Sequence, residues 1–202
     1  MMDPHELGSK YDKIAPWWHE QHQHSSYGMT QLGRALGYTS AGGAALDVGC
    51  GAGGRMVREL QAQGFQVTGL DVSQQMIQLA VRNHPDGLFL HQDICTWQTE
   101  ARFELIIAWD SIFHLPLQQQ RPVIQKLSTL LAPDGILLYS FGNAVGEHTD
   151  TWHDDSFYYS SIGINANLTT LLEQGLTLLH LELDQFPDRR HAYLIAQKQA
   201  AL

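Results

Sequence analysis

The chain has 202 residues, 44% of them hydrophobic, and a formal charge of −9. That length suits one well-packed domain, and twelve scattered Lys and Arg residues exclude a general nucleic-acid binder, which needs a basic face to replace counterions. There is no apolar run of membrane-spanning length, no apolar signal core in MMDPHELGSKYDK and no C-x-x-C pair at Cys50 or Cys95, so the sequence predicts a soluble, cytoplasmic protein without a disulfide scaffold or zinc ribbon.

Residues 1–43 read as an amphipathic helical cap. AALDVG is a buried strand, and the glycines after it lead into a helix with Met56, Val57 and Leu60 on one face and Gly64 at its stop. FQVTGLD is a second strand. Ser73 then caps a helix with the apolar stripe Met76, Ile77, Ala80 and Val81, which ends before Pro85. LFLHQDI and FELIIAW are the third and fourth strands. Pro122 suits the first turn of a helix packing Val123, Leu127, Leu130 and Leu131, and the turn APDG leads into a fifth strand, ILLYSF. Residues 142–162 form a long polar and aromatic insertion. Loops beyond about 12–15 residues are usually functional or disordered, and the aromatics here argue against disorder. A helix near residues 167–174 stops at Gly175. Leu179, Leu181 and Leu183 then alternate with His180, Glu182 and Asp184, and HAYLIA follows after the turn FPDRR. That gap is too short for a crossover helix, so the last two strands form an antiparallel hairpin.

Alternating strands and helices imply a three-layer α/β fold with an open, mostly parallel sheet. Ligands in such sheets bind beyond the carboxyl ends of the strands. LDVGCGAGG, at residues 46–54, fits two spacings: Gly49, Gly51 and Gly54 match G-x-G-x-x-G, and Gly49, Gly51 and Gly53 match G-x-G-x-G. Such a loop brings backbone N–H groups to an anion, either a pyrophosphate or a carboxylate. Asp71, 20 residues after Gly51, can accept both hydroxyls of a ribose. Asp93 can accept the amine of an adenine while Ile94 packs on the ring. Taken alone, each has a bland alternative: a tight turn, a helix-start acid, a solvated loop acid.

LDVGCGAGG, GLDVSQQMIQLA, HQDI, FELIIAWDSIFHLP and LAPDGILLYSF, in that order over residues 44–141, together resemble the class I S-adenosylmethionine-dependent methyltransferases of the small-molecule type. The resemblance implies a Rossmann-like sheet of seven strands with one antiparallel strand from the C-terminal hairpin. It divides a single domain into a cap (1–43), a cofactor-binding core (44–141), a substrate lid (142–162) and a closing helix and hairpin (163–202). S-adenosylmethionine would be the co-substrate. Asp47, Gly49, Cys50, Gly51 and Gly53 would cradle its methionine part, with Gly54 left in the first helical turn. Asp71 would bind the ribose. Val72, Met76, Asp93 and Ile94 would form the adenine slot. Trp109 would lie near the sulfonium, and Tyr11, in YDKIAPWW, would reach over the cofactor.

Methyl transfer from a sulfonium is an in-line displacement, so positioning and water exclusion dominate; a base is needed only where the nucleophile carries a proton. His114, just past strand four, is the candidate base, and Asp110 the second. Trp17, His148, Trp152, Tyr158 and Tyr159 are candidate contacts to a small-molecule acceptor, although Trp17 and Trp18 also suit helix packing. No tight metal-ligand spacing occurs, and Asp110 with Asn143 lacks a third ligand. Trp109-Asp110-Ser111 replaces the Asn/Asp-Pro-Pro-aromatic pattern of nucleic-acid amino-methylating relatives. Two other readings compete: a non-catalytic protein on the same fold, and an NAD-dependent oxidoreductase, which the lead-in, the terminal hairpin and the absence of a substrate domain disfavour.

Overall fold

The computed structural model describes residues 3–40, 42–184 and 190–200. Most of the expected FPDRR turn, residues 186–189, lies outside the described residues. Two helices lead: α1 (Pro4–His22), with Asp3 accepting the His5 N–H and Pro4 in the first turn, and α2 (Met29–Leu36). The core then alternates as expected: β1 (Gly43–Val48), α3 (Arg55–Ala62), β2 (Phe65–Asp71), α4 (Gln74–Asn83), β3 (Leu88–His91), β4 (Phe103–Ala108), α5 (Leu117–Leu130) and β5 (Leu131–Gly142). The remainder is β6 (Val145–Trp152), β7 (Asp155–Ile162), α6 (Gly163–Glu173), β8 (Leu176–Asp184) and β9 (His191–Lys198).

Seven strands form one sheet in the order β3-β2-β1-β4-β5-β9-β8. Every pairing through β5 is parallel, and β9 runs antiparallel to both neighbours. The central strands are apolar on both faces because helices cover both. Ile106 and Ala108 pack with Val123, Ile124 and Leu127 of α5 on one side. Leu105 and Ile107 pack with Leu32, Val57 and Ala80, from α2, α3 and α4, on the other.

Several local expectations are corrected. Residues 142–162 are not an irregular loop. β6 and β7 pair in register from Val145↔Ile162 to Trp152↔Asp155 as a separate two-stranded sheet. His153 and Asp154, both at positive φ, close it, as a two-residue turn of that hand requires. Pro122 lies inside α5, which starts at Leu117 behind Pro116. α6 starts at Gly163, because Asn167 is an interior residue: its amide donates to the Gly163 carbonyl and its oxygen accepts the Tyr139 hydroxyl, each at 2.8 Å. Val81 is exposed, not part of the buried stripe of α4. β8 carries a bulge between Leu178 and His180.

Candidate functional site

The carboxyl ends of β1, β2 and β4 open on one edge, and α1 lies across them. Between is a cleft with about 1290 Å³ of unfilled space, its open mouth included. Asp47, Gly49, Cys50 and Gly51 line its floor, and Tyr11, Trp18, His19 and His22 of α1 line its roof.

The glycine loop spends most of its own N–H groups on its shape. Gly49 and Cys50 donate to the Leu70 carbonyl at 2.8 and 3.0 Å, and Gly53 donates to the Cys50 carbonyl at 3.1 Å. Gly51 donates to Asp71 Oδ2 at 2.9 Å, which locks the loop to the acid of β2. What faces the cleft is the start of α3, capped at Gly54 with no side-chain bond, and Arg55 beside it. Unpaired first-turn N–H groups and a guanidinium suit an anion. Gly53 must be glycine for a different reason: its φ is +65°, and a Cβ there would meet His84 of the α4 C-terminus at 2.9 Å. It turns toward α4 and does not line the cleft; Gly54 does.

Asp71 also accepts the Ser73 N–H on Oδ1 at 2.8 Å. Each oxygen is thus held by one backbone donor and keeps a lone pair for a ligand hydroxyl. Burial raises its pKa to about 6, against the pull of those two hydrogen bonds. Asp47 is buried, and its pKa is pushed up to about 7 by desolvation, with the Asp71 charge adding and Arg55 opposing. Asp93 accepts the Cys95 N–H at 2.9 Å and lines the same cleft with Ile94, Val72 and Met76.

At the other end, His114 is buried between Tyr11 and β7. Its Nδ1 lies 2.8 Å from the Tyr158 carbonyl. A carbonyl only accepts, so Nδ1 carries the proton and Nε2 accepts the Tyr11 hydroxyl at 3.0 Å. Burial lowers the imidazole pKa to about 4 and raises that of the Tyr11 phenol; both are neutral at pH 7. Asp110 sits at φ +52°. Its N–H donates to Ser140 Oγ at 2.8 Å, and Oδ1 accepts from Ser140 Oγ at 3.0 Å and from His191 Nε2 at 2.8 Å. His191 Nδ1 binds Asp184. Among the described residues, the buried side-chain polar atoms without a partner are Trp109 Nε1 and Ser111 Oγ, and both residues line this cleft.

A family model described as "Methyltransferase domain" matches residues 45–135. A Coxiella burnetii ubiquinone biosynthesis O-methyltransferase is 31% identical over 150 residues, 69% of this chain and 62% of the relative. An Escherichia coli trans-aconitate 2-methyltransferase is 37% identical over 92 residues, 45% of this chain and 36% of the relative. The chain therefore spans less than two thirds of the length of either relative. The fold matches N-methyltransferase NodS from Bradyrhizobium japonicum, solved with S-adenosyl-L-homocysteine, with a TM-score of 0.70 at 20% identity over 97% of this chain and 99% of that one.

Residues 45–135 therefore carry a methyltransferase domain, and the chain has the fold of S-adenosylmethionine-dependent methyltransferases. The residues present fit the family's co-substrate. A carboxylate with free lone pairs stands at the end of β2, a second follows β3, and the orphaned Ser111 hydroxyl and an uncapped helix start lie beside the glycine loop. Of the expected cofactor residues, Tyr11, Asp47, Gly49, Cys50, Gly51, Asp71, Val72, Met76, Asp93, Ile94 and Trp109 line one cleft; Gly53 is the exception. His114 and Asp110 line it too.

The expected acceptor contacts are placed differently. Trp17 is 38% exposed and packs on Trp152 and His153 outside the cleft; its neighbour Trp18 faces in. His148 is exposed and stacks on Tyr159. Trp152, Tyr158 and Tyr159 also stay off the lining: Trp152 packs on Phe157, the Tyr158 hydroxyl donates to Glu147 at 2.6 Å, and Tyr159 backs Phe113 and His114. The hairpin braces His114 and the roof from behind, because its inward residues meet α1 and the turn after β4 before they can reach the cavity. Arg55, Ser111 and His191 were given no role by the sequence. Arg55 had one legible signal, a cation opening the helix after the glycines; His191 had none.

Proposed function

We propose that this chain binds S-adenosylmethionine in the cleft and transfers its methyl group to a small-molecule acceptor. One observation carries the reading: Asp71, fixed through the Gly51 and Ser73 N–H groups, shares a single cleft with the glycine loop, Asp93 and the orphaned Ser111 hydroxyl. In this reading Asp71 accepts the ribose hydroxyls, Asp93 accepts the adenine amine, and Val72, Met76 and Ile94 pack on the ring. Arg55, Ser111 and the start of α3 take the methionine carboxylate. When bound, S-adenosylmethionine supplies a methyl group made electrophilic by its sulfonium.

Residues 1–43 act as the roof that keeps water out, 44–141 as the cofactor-binding core, and 142–162 as the brace behind His114; 163–202 complete the sheet, all within one domain. An acceptor hydroxyl or amine that displaces the Tyr11 hydroxyl meets His114 Nε2, the one ring nitrogen able to take a proton. Burial keeps that nitrogen unprotonated at pH 7, so its lone pair is free to accept. The roofed cleft and the acidic chain support a small acceptor, as do relatives named for trans-aconitate and for ubiquinone biosynthesis. The two free cysteines fit a reducing compartment, hence a cytoplasmic protein.

Isothermal titration calorimetry with S-adenosylmethionine, S-adenosylhomocysteine and NAD tests the reading. Binding of the first two, weakened tenfold or more (roughly 1.4 kcal/mol) by Asp71→Ala, is the expected result. Binding of NAD alone, or no effect of Asp71→Ala, refutes it.

A further inference from the structure

We propose that Asp110 selects by charge: its carboxylate favours the sulfonium-bearing co-substrate over the neutral thioether left after transfer. The proposal rests on the cofactor reading above. Asp110 follows β4, beside Ser111, whose orphaned hydroxyl marks a place next to Gly49 where the chain alone does not complete the polar contacts. Four carboxylates line the cleft, Asp47, Asp71, Asp93 and Asp110, against Arg55 as the only Lys or Arg among the described lining residues. Asp71 and Asp93 stand at the ends of β2 and β3, on the adenosine side of the cleft. Asp110 is the lining carboxylate whose charge acts on His114, at the end of the cleft where the methyl group must leave.

Its geometry is built, not incidental. Asp110 sits in the left-handed region (φ +52°), which aspartate enters more readily than most residues, and its side chain is then fixed. Here fully buried Ser140 binds both its N–H and Oδ1, and His191 binds the same oxygen. Oδ2 takes no part in this network. Burial opposes protonation of His191, but hydrogen bonds and charge from Asp110 and Asp184 outweigh it, so its pKa is raised. With His191 protonated, Asp184 balances it and the Asp110–His191–Asp184 chain keeps one net negative charge. Arg55 interacts with Asp110 first and with Asp47 second; in the cofactor reading its partner is the methionine carboxylate.

The two ligands share adenosine and amino-acid groups and differ by a methyl and a unit of charge at sulfur. Contacts elsewhere therefore weaken or strengthen both together, whereas a charge facing the sulfur separates them. One carboxylate a few ångströms away in a partly solvated cleft contributes on the order of tenfold after screening.

The test is calorimetry of both ligands on wild type and Asp110→Asn, which keeps an acceptor oxygen for Ser140 and His191 and removes the charge. S-adenosylmethionine affinity should fall about tenfold, with S-adenosylhomocysteine affinity within about twofold. Added NaCl should shrink the preference of the wild type and leave that of the variant unchanged. Asp110→Gly, suited to the same positive φ, should reproduce the loss of preference and guards against an unfolded asparagine variant. Equal change in both affinities, or no change, overturns the proposal while the cofactor reading stands. A wild type that binds neither ligand overturns both.

Discussion

Gly8 lies within α1, where alanine ordinarily stabilises a helix by about 1 kcal/mol. Here the opposite is expected. A Cβ on Gly8 would stand 2.1 Å from the Val72 carbonyl oxygen and 2.7 Å from its carbon. Real Cβ contacts do not fall below 3.0 Å, so α1 must lift by roughly 0.9 Å. The obstacle is backbone and cannot rotate away. Overpacking of this kind costs about 1–3 kcal/mol; the helix-propensity gain is the same with α1 lifted or seated and does not offset it. Only the closed roof bears it, because the clash vanishes when α1 lifts. If the roof must close over the ligand, S-adenosylhomocysteine affinity falls about 5- to 150-fold. Calorimetry reads the affinity, and limited proteolysis reads the release of residues 1–43, which added ligand should slow less in Gly8→Ala than in wild type. Unchanged affinity and unchanged cleavage would refute the seating of α1 on Val72 and its role as roof.

Two further outcomes follow from the site. Trp18→Ala should weaken S-adenosylhomocysteine binding by roughly fivefold or more, because the indole stands over the glycine loop, 3.8 Å from where a Gly51 Cβ would be. Trp17→Ala should stay within about twofold, a reach set by its place outside the cleft; reversed effects in calorimetry would show that α1 is seated one residue out of phase. Asp47 has a pKa near 7 in the folded protein against an ordinary 3.8. The native state therefore holds more protons than the unfolded chain between those values, and the contribution of Asp47 to stability is lost as pH rises through them. Asp47→Asn lacks that loss, so its Tm should gain on the wild type from about pH 4 to about pH 7. A constant difference across that range in thermal melts would contradict the burial of this carboxyl.

Much of this protein was legible locally. Strands β1 to β4 follow from runs of four to seven apolar-rich residues between turn signals, and the second half of β5 from ILLYSF, although β5 itself starts at Leu131 and takes in the expected APDG turn; the spacing of Gly49, Gly51, Asp71 and Asp93 placed them on one cleft. These features repeat at fixed distances because a strand, a tight turn and a helix start each have one geometry, and a ligand beyond the strand ends meets them in chain order. The β6–β7 hairpin was hidden by its polar outer strand, although His153-Asp154 was a turn signal.

What the chain alone left open was which side chains converge from far apart. Asp110 meets His191 across 81 positions, and Tyr11 meets His114 across 103. Neither pairing leaves a periodic trace. Trp17 and Trp18 are adjacent letters, about 100° apart around a helix, and only the docking of Gly8 on Val72 decides which one looks inward. Composition and periodicity determined the sheet, its helices and the acids at its edge; docking of α1, and of the hairpin behind His114, determined which residues enclose the cleft, because a residue's contacts depend on the packing of whole elements and not on its neighbours in the chain.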